Sequence, residues 1–133
     1  MTPDLKKFEK LGKDLASDRG DLTLYALLER EDEPGRWDLV VSAPWVQGVT
    51  IDGMEYIIDK MKKRLTAQER DSVAHIILLR PEEQTVRNII RSSHPVTDTL
   101  GIIKDDISRA YINGMLITRG YILATNRYRN SAA

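Results

Sequence analysis

The chain contains no cysteine among its 133 residues. That excludes disulfides, thiolate zinc sites, iron–sulfur clusters and cysteine nucleophiles, and it suits a reducing compartment. Net charge is missing as well, because 20 Lys and Arg balance 20 Asp and Glu. A chain without excess charge has no global field to steer it toward nucleic acid or anionic membrane. No apolar stretch approaches the length of a membrane span. The amino-terminal MTPDLKKFEK is charged from the start, unlike a signal peptide. The expected location is cytoplasmic, with no membrane partner.

Motifs are equally sparse. The eight glycines fall into neither the dinucleotide fingerprint nor the P-loop spacing. No serine carries the flanking glycines of a nucleophile elbow. The two histidines, His75 and His94, are too far apart for a helical zinc pair. A restriction-type nuclease needs an acidic residue on one strand and a Glu-x-Lys type pair on the next. Asp38 suits the first role, but a helix follows it, and Asp4-Leu5-Lys6 belongs to a helix too. Asp98, Asp105 and Asp106 place too few oxygens for a hard cation. No metal, cofactor or catalytic residue is assigned, and the balance leans away from an enzyme.

What is present reads as one α/β domain spanning residues 1–133, with residues 126–133 expected to fray. Its order is that of a mixed α+β chain. Pro3 and Asp4 open a helix over about residues 3–17, with Leu5, Phe8, Leu11 and Leu15 on one face. Leu22 to Glu29 and Trp37 to Ala43 alternate as strands of a hairpin, and Pro34-Gly35 suits a type II turn between them. Asp52 and Glu55 have capping-box spacing for a second helix, with Met54, Ile57, Ile58, Met61 and Leu65 as its buried face. Thr66 to Asp71 adds a short turn. The unbroken apolar run Ala74 to Leu79 suits a strand covered on both faces, parallel to the preceding one in a βαβ unit.

Pro81 and Glu82 open a third helix, which Ser92-Ser93-His94-Pro95 ends. Leu100 to Ile103 reads as a short strand. Ile107 to Ile112 and Met115 to Ala124 form a second hairpin around Asn113-Gly114, the strongest two-residue turn signal. The expected architecture is a single mixed sheet with two β-hairpins, one βαβ unit and about three helices packed on it.

Two residue groups carry candidate chemistry. Open α/β sheets bind ligands beyond the carboxyl ends of parallel strands. That edge holds Ser42, Trp45, Thr50, Arg80 and Glu82, with two helix amino termini that favour an anion, a guanidinium that can clamp it, and an indole that can stack. Against it stands a plainer arrangement, in which Arg80 pairs with a nearby acid and Trp45 covers the core. The second group is the basic, tyrosine-interleaved carboxyl terminus: Arg119, Arg127, Tyr128 and Arg129. Zero net charge and the shortness of this patch count against a dedicated nucleic-acid binder. His75 reads as a hydrogen-bonded core or edge histidine. The acidic loop Glu29 to Glu33 reads as a solvated hairpin tip.

Three functional classes follow. The leading one is a non-catalytic interaction or regulatory module, accessory or inhibitory, that forms a homo-oligomer through the edge of its carboxyl-terminal hairpin or meets another protein. The alternatives are a small-ligand or anion-binding enzyme at Trp45 and Arg80, and a nucleic-acid binder.

Overall fold

The computed structural model describes residues 3–97 and 103–125. Four helices and seven strands occur among them: α1 (Leu5–Arg19), β1 (Leu24–Arg30), β2 (Trp37–Ser42), α2 (Ile51–Arg64), α3 (Ala67–Asp71), β3 (Val73–Leu79), α4 (Gln84–Ser92), β4 (His94–Thr97), β5 (Ile103–Ile107), β6 (Ala110–Ile112) and β7 (Met115–Thr125). One mixed sheet runs β3-β2-β1-β7-β5-β4, with β6 paired to the first part of β7. The β2–β3 pair is parallel and every other pair is antiparallel. The expected α+β class, both hairpins and the βαβ unit are all present.

The turns explain the hairpins. Gly35 takes φ +81°, and Arg36 donates its N–H to the Glu33 carbonyl at 3.3 Å, as a type II turn requires. Asn113 and Gly114 both have positive φ, at 54° and 78°, which matches the right-handed twist of the strands they join. The strand before this turn is broken. Arg109 takes φ 117°, so β5 and β6 are separate segments rather than the single strand Ile107 to Ile112 that the alternation suggests.

Helix boundaries differ from expectation where two caps compete. Asp4 is the cap of α1, accepting from the Lys7 N–H, so the helix begins at Leu5. Thr50, not Asp52, caps α2, accepting from the Gly53 N–H at 3.0 Å. The reciprocal capping box lies in α3, between Thr66 and Glu69. Pro81 to Glu83 form a turn, and α4 starts only at Gln84. His94 and Pro95, expected merely to end that helix, begin edge strand β4. Of the short strand expected over Leu100 to Ile103, only Ile103 lies within the described residues, as the start of β5.

Helices cover both faces of the sheet. On one face α1 and α2 bury Phe8, Leu11, Leu15, Ile57 and Met61 against Tyr25, Leu27, Leu39 and Val41. On the other, α4 and the β6–β7 hairpin bury Val86, Ile89, Ile112 and Ile117 against Leu24, Ala26, Leu28 and Val40. The first hairpin is therefore apolar on both sides instead of alternating. At about 25 cal/mol per Å2 of apolar surface, burying both faces is a large stabilising term. The Tyr25 hydroxyl donates to the Phe8 carbonyl at 2.7 Å, and the Arg64 guanidinium grips the Asp14 carboxylate at 2.6 and 2.9 Å, joining α2 to α1.

Strand β3 is the exception to two-sided cover. It is an outer strand, and Val73, Ile76 and Ile77 are only half-buried. The apolar run that suits a fully covered strand occupies a sheet edge.

Candidate functional site

The strand-end residues do not converge. Arg80, Glu82, Pro44, Val46 and Gln47 line a shallow open cleft of about 550 Å3, from which Trp45 and Ser42 are absent. Arg80 donates from its guanidinium to the Gln47 carbonyl at 3.3 Å, and from its backbone N–H to the Glu83 carboxylate at 2.6 Å. Glu83 is the residue before the first turn of α4, and Glu82 precedes it. Two acidic side chains at that helix start oppose a bound anion.

Trp45 lies instead at the α1–α2 seam. Its ring meets Tyr56 edge-on at 5.7 Å, and Arg19 lies 3.7 Å from the Tyr56 ring centre. The Tyr56 hydroxyl donates to Asp18 at 2.6 Å. Burial, then this bond, pushes the Tyr56 phenol up to about 12, and the same bond holds the Asp18 carboxyl below its usual range. Thr50 is occupied as a helix cap, and Ser42 is fully buried within the sheet.

In the carboxyl-terminal group, the Arg119 guanidinium lies 5.8 Å from the Trp37 ring centre, as a cation on an aromatic face. Arg127, Tyr128 and Arg129, like the tail 126–133 that contains them, lie outside the described residues.

A polar cluster that the linear sequence does not reveal sits at the opposite end of β2 and β3. Asp38 is 5% exposed. Its Oδ1 lies 2.9 Å from His75 Nδ1 and its Oδ2 lies 3.3 Å from Arg30 Nε. The same His75 Nδ1 also lies 3.3 Å from Arg30 Nη2, so the imidazole sits between the carboxylate and the guanidinium. Arg30 also pairs with Glu33 at 2.8 Å and places Nη1 3.1 Å from Met115 Sδ. The register of the parallel ladder sets Asp38 against His75, and the antiparallel pairings of β1 bring Arg30 alongside. No hydroxyl bonds to the imidazole among the described residues, and no three His, Asp or Glu side chains there converge as metal ligands. The arrangement gives a buried carboxylate the Arg30 guanidinium and the His75 imidazole as partners and closes the sheet end.

The remaining candidate is the edge itself. Among the described residues no strand pairs with the outer side of β3. An extra residue, Ala74, interrupts its ladder with β2, and His75 to Leu79 then pair in regular register. That stretch has no proline, glycine or lysine, the residues that blunt exposed edges. The other outer strand, β4, carries Pro95. Beside β3 runs a largely apolar groove of about 440 Å3, lined by Met54, Ile58 and Met61 of α2 and by Val73 and Ile76, with Arg70 and His75 as its polar residues. Ile58, expected in the core, is 36% exposed, and Ile51 one heptad before it is 77% exposed. Their seven-residue spacing was the one signal of this second stripe in the sequence.

The hairpin expected to offer a pairing edge is placed differently. Strand β7 is paired on one side with β1 and on the other with β5 and β6, so it lies inside the sheet, and among the described residues the three-residue β6 is the hairpin strand paired on one side alone. The longer open apolar edge belongs to β3.

The chain matches no protein family, no characterised protein and no solved structure. Geometry alone therefore carries the functional argument. Among the described residues no helix is long and apolar enough to cross a membrane.

Proposed function

We propose that this protein is a non-catalytic interaction module, working in the reducing cytoplasm, that binds by adding an extended strand to the outer edge of β3. One observation carries this reading: the unguarded run His75 to Leu79 lies beside an apolar groove lined by two methionines and Ile58. In strand addition the backbone edge supplies hydrogen bonds and the neighbouring groove takes side chains. Methionine side chains adapt to what they meet, which suits such a groove. The enzyme reading lacks this support, because Trp45 does not share the Arg80 cleft and the helix start there is acidic.

A fluorescent peptide carrying Val73–Leu79 between lysines tests the proposal. Saturable binding to the intact chain is expected. A peptide with proline at alternate positions, which has fewer N–H donors, is expected not to bind. Equal binding of both peptides, or binding of neither, would contradict strand addition.

A further inference from the structure

We infer that the strand added to β3 is β3 of a second copy, arranged antiparallel about a two-fold axis, with α2 packed against its own counterpart. This rests on the strand-addition reading above and adds the identity of the partner.

The first argument is charge. On a helix, residues 51, 55, 58 and 62 share one stripe at 100° per residue. In α2 that stripe is Ile51, Glu55, Ile58, Lys62, and all four are exposed. It alternates apolar, acidic, apolar, basic. A two-fold axis near Ile58 sets Glu55 of one copy against Lys62 of the other, and the same pair forms again by symmetry.

The strand has the same property. Exposed Asp71, which ends α3, and exposed Arg80 flank β3 at its two ends. Antiparallel pairing about Ile76 brings the Asp71 end of one copy to the Arg80 end of the other, again twice. A parallel arrangement would set each charge against its own like.

The two axes coincide. Helix α2 leads from the end of β2 to the start of the parallel β3, so it runs back along the strand. A Cβ on Gly53 would lie 3.1 Å from Leu78, and Met61 shares the groove with Val73. Ile58 and Ile76 therefore stand at one level. The half-buried Val73 and Ile76 show that α2 leaves this strand partly uncovered. Ile58 and the groove methionines of the two copies would meet over the joined edge.

Light scattering coupled to size exclusion, run on the full chain over a dilution series, tests the inference. A dimer is expected at high concentration. Glu55→Lys or Lys62→Glu alone is expected to weaken it about tenfold, by turning two attractive pairs repulsive, and the double exchange to restore it. Ile58→Asp is expected to abolish the dimer while leaving the thermal midpoint of the dilute chain unchanged. A chain that binds the β3 peptide yet is monomeric at every concentration overturns the two-fold dimer and leaves the edge reading standing. A dimer indifferent to the charge exchanges overturns it too.

Discussion

His75 Nδ1 lies 2.9 Å from Asp38 Oδ1 across the parallel β2–β3 ladder, joining a half-exposed imidazole on the outer strand to a carboxylate buried one strand in. Arg30 reaches the same carboxylate at 3.3 Å from the end of β1. Three strands are thereby tied at one corner of the sheet, beside the edge proposed to accept a strand.

Removing the shared acid should cost more than removing either surface contact. Asp38→Ala leaves Arg30, whose side chain is 14% exposed, without its buried partner. A loss of about 3 kcal/mol is expected in urea unfolding. His75→Ala leaves the Arg30–Asp38 pair in place and removes a half-exposed ring, so a loss of about 1 kcal/mol or less is expected. Equal losses would mean that the imidazole, not the guanidinium, compensates Asp38.

Burial should separate two charge insertions of the same kind. Val40 is fully buried in β2, whereas Ile77 is half-buried on the edge strand. Val40→Asp is expected to prevent folding, since an unpaired charge in the interior costs several kcal/mol. Ile77→Asp is expected to fold with a lowered thermal midpoint. If circular dichroism shows the reverse order, β3 is not the outer strand.

Gly12 in α1 sets two effects against each other. Alanine gains about 1 kcal/mol of helix propensity over glycine. Its Cβ would lie 2.8 Å from Cε2 of Tyr25, a fully buried ring whose hydroxyl is anchored on the Phe8 carbonyl. Overpacking typically costs about 1–3 kcal/mol. Gly12→Ala is therefore expected to destabilise on balance. A raised thermal midpoint would show that the ring yields.

Stability should fall at both ends of the pH scale. Hydrogen bonds from Arg64 hold Asp14 below the usual carboxylate range, and the Thr66 backbone N–H, with Lys7, does the same for Glu69. The unfolded chain takes up these protons first. Their contribution is thus present above about pH 4 and lost as pH falls through the folded values. Tyr56 is pushed up to about 12, and burial raises Tyr25 further. Unfolded tyrosine ionises near about pH 10, so this contribution is lost as pH rises from there through the folded values. Tyrosinate absorbance, compared between the parent chain and its Tyr25→Phe and Tyr56→Phe variants, should show Tyr25 and Tyr56 ionising only late in the alkaline titration or with unfolding. Ionisation of both near about pH 10 in the folded chain would contradict the packing.

These contrasts also show what a linear reading can reach. Pro34-Gly35 and Asn113-Gly114 declare their turns because the required φ values depend on those residues alone. The run Ala74 to Leu79 declares a strand but not its place in the sheet. Strand order is set by distant pairings, and an apolar run reads the same at an edge as at the centre. The link between Asp38 and His75, 37 residues apart, appears only once the parallel register is known. Trp45 and Arg80 follow the carboxyl ends of adjacent parallel strands, as expected. The loop turns the indole toward Tyr56, and the Arg80 side chain bonds back to Gln47.

Whether the outer edge of β3 accepts a strand is tested most directly by amide hydrogen exchange followed residue by residue. With the β3 peptide at saturation, slowed exchange is expected in His75 to Leu79 and in the α2 turns that carry Met54 and Ile58, with β4 and the Arg80 cleft unchanged. Unaltered exchange along β3, or protection gained instead at β4 or around Arg80, would contradict it.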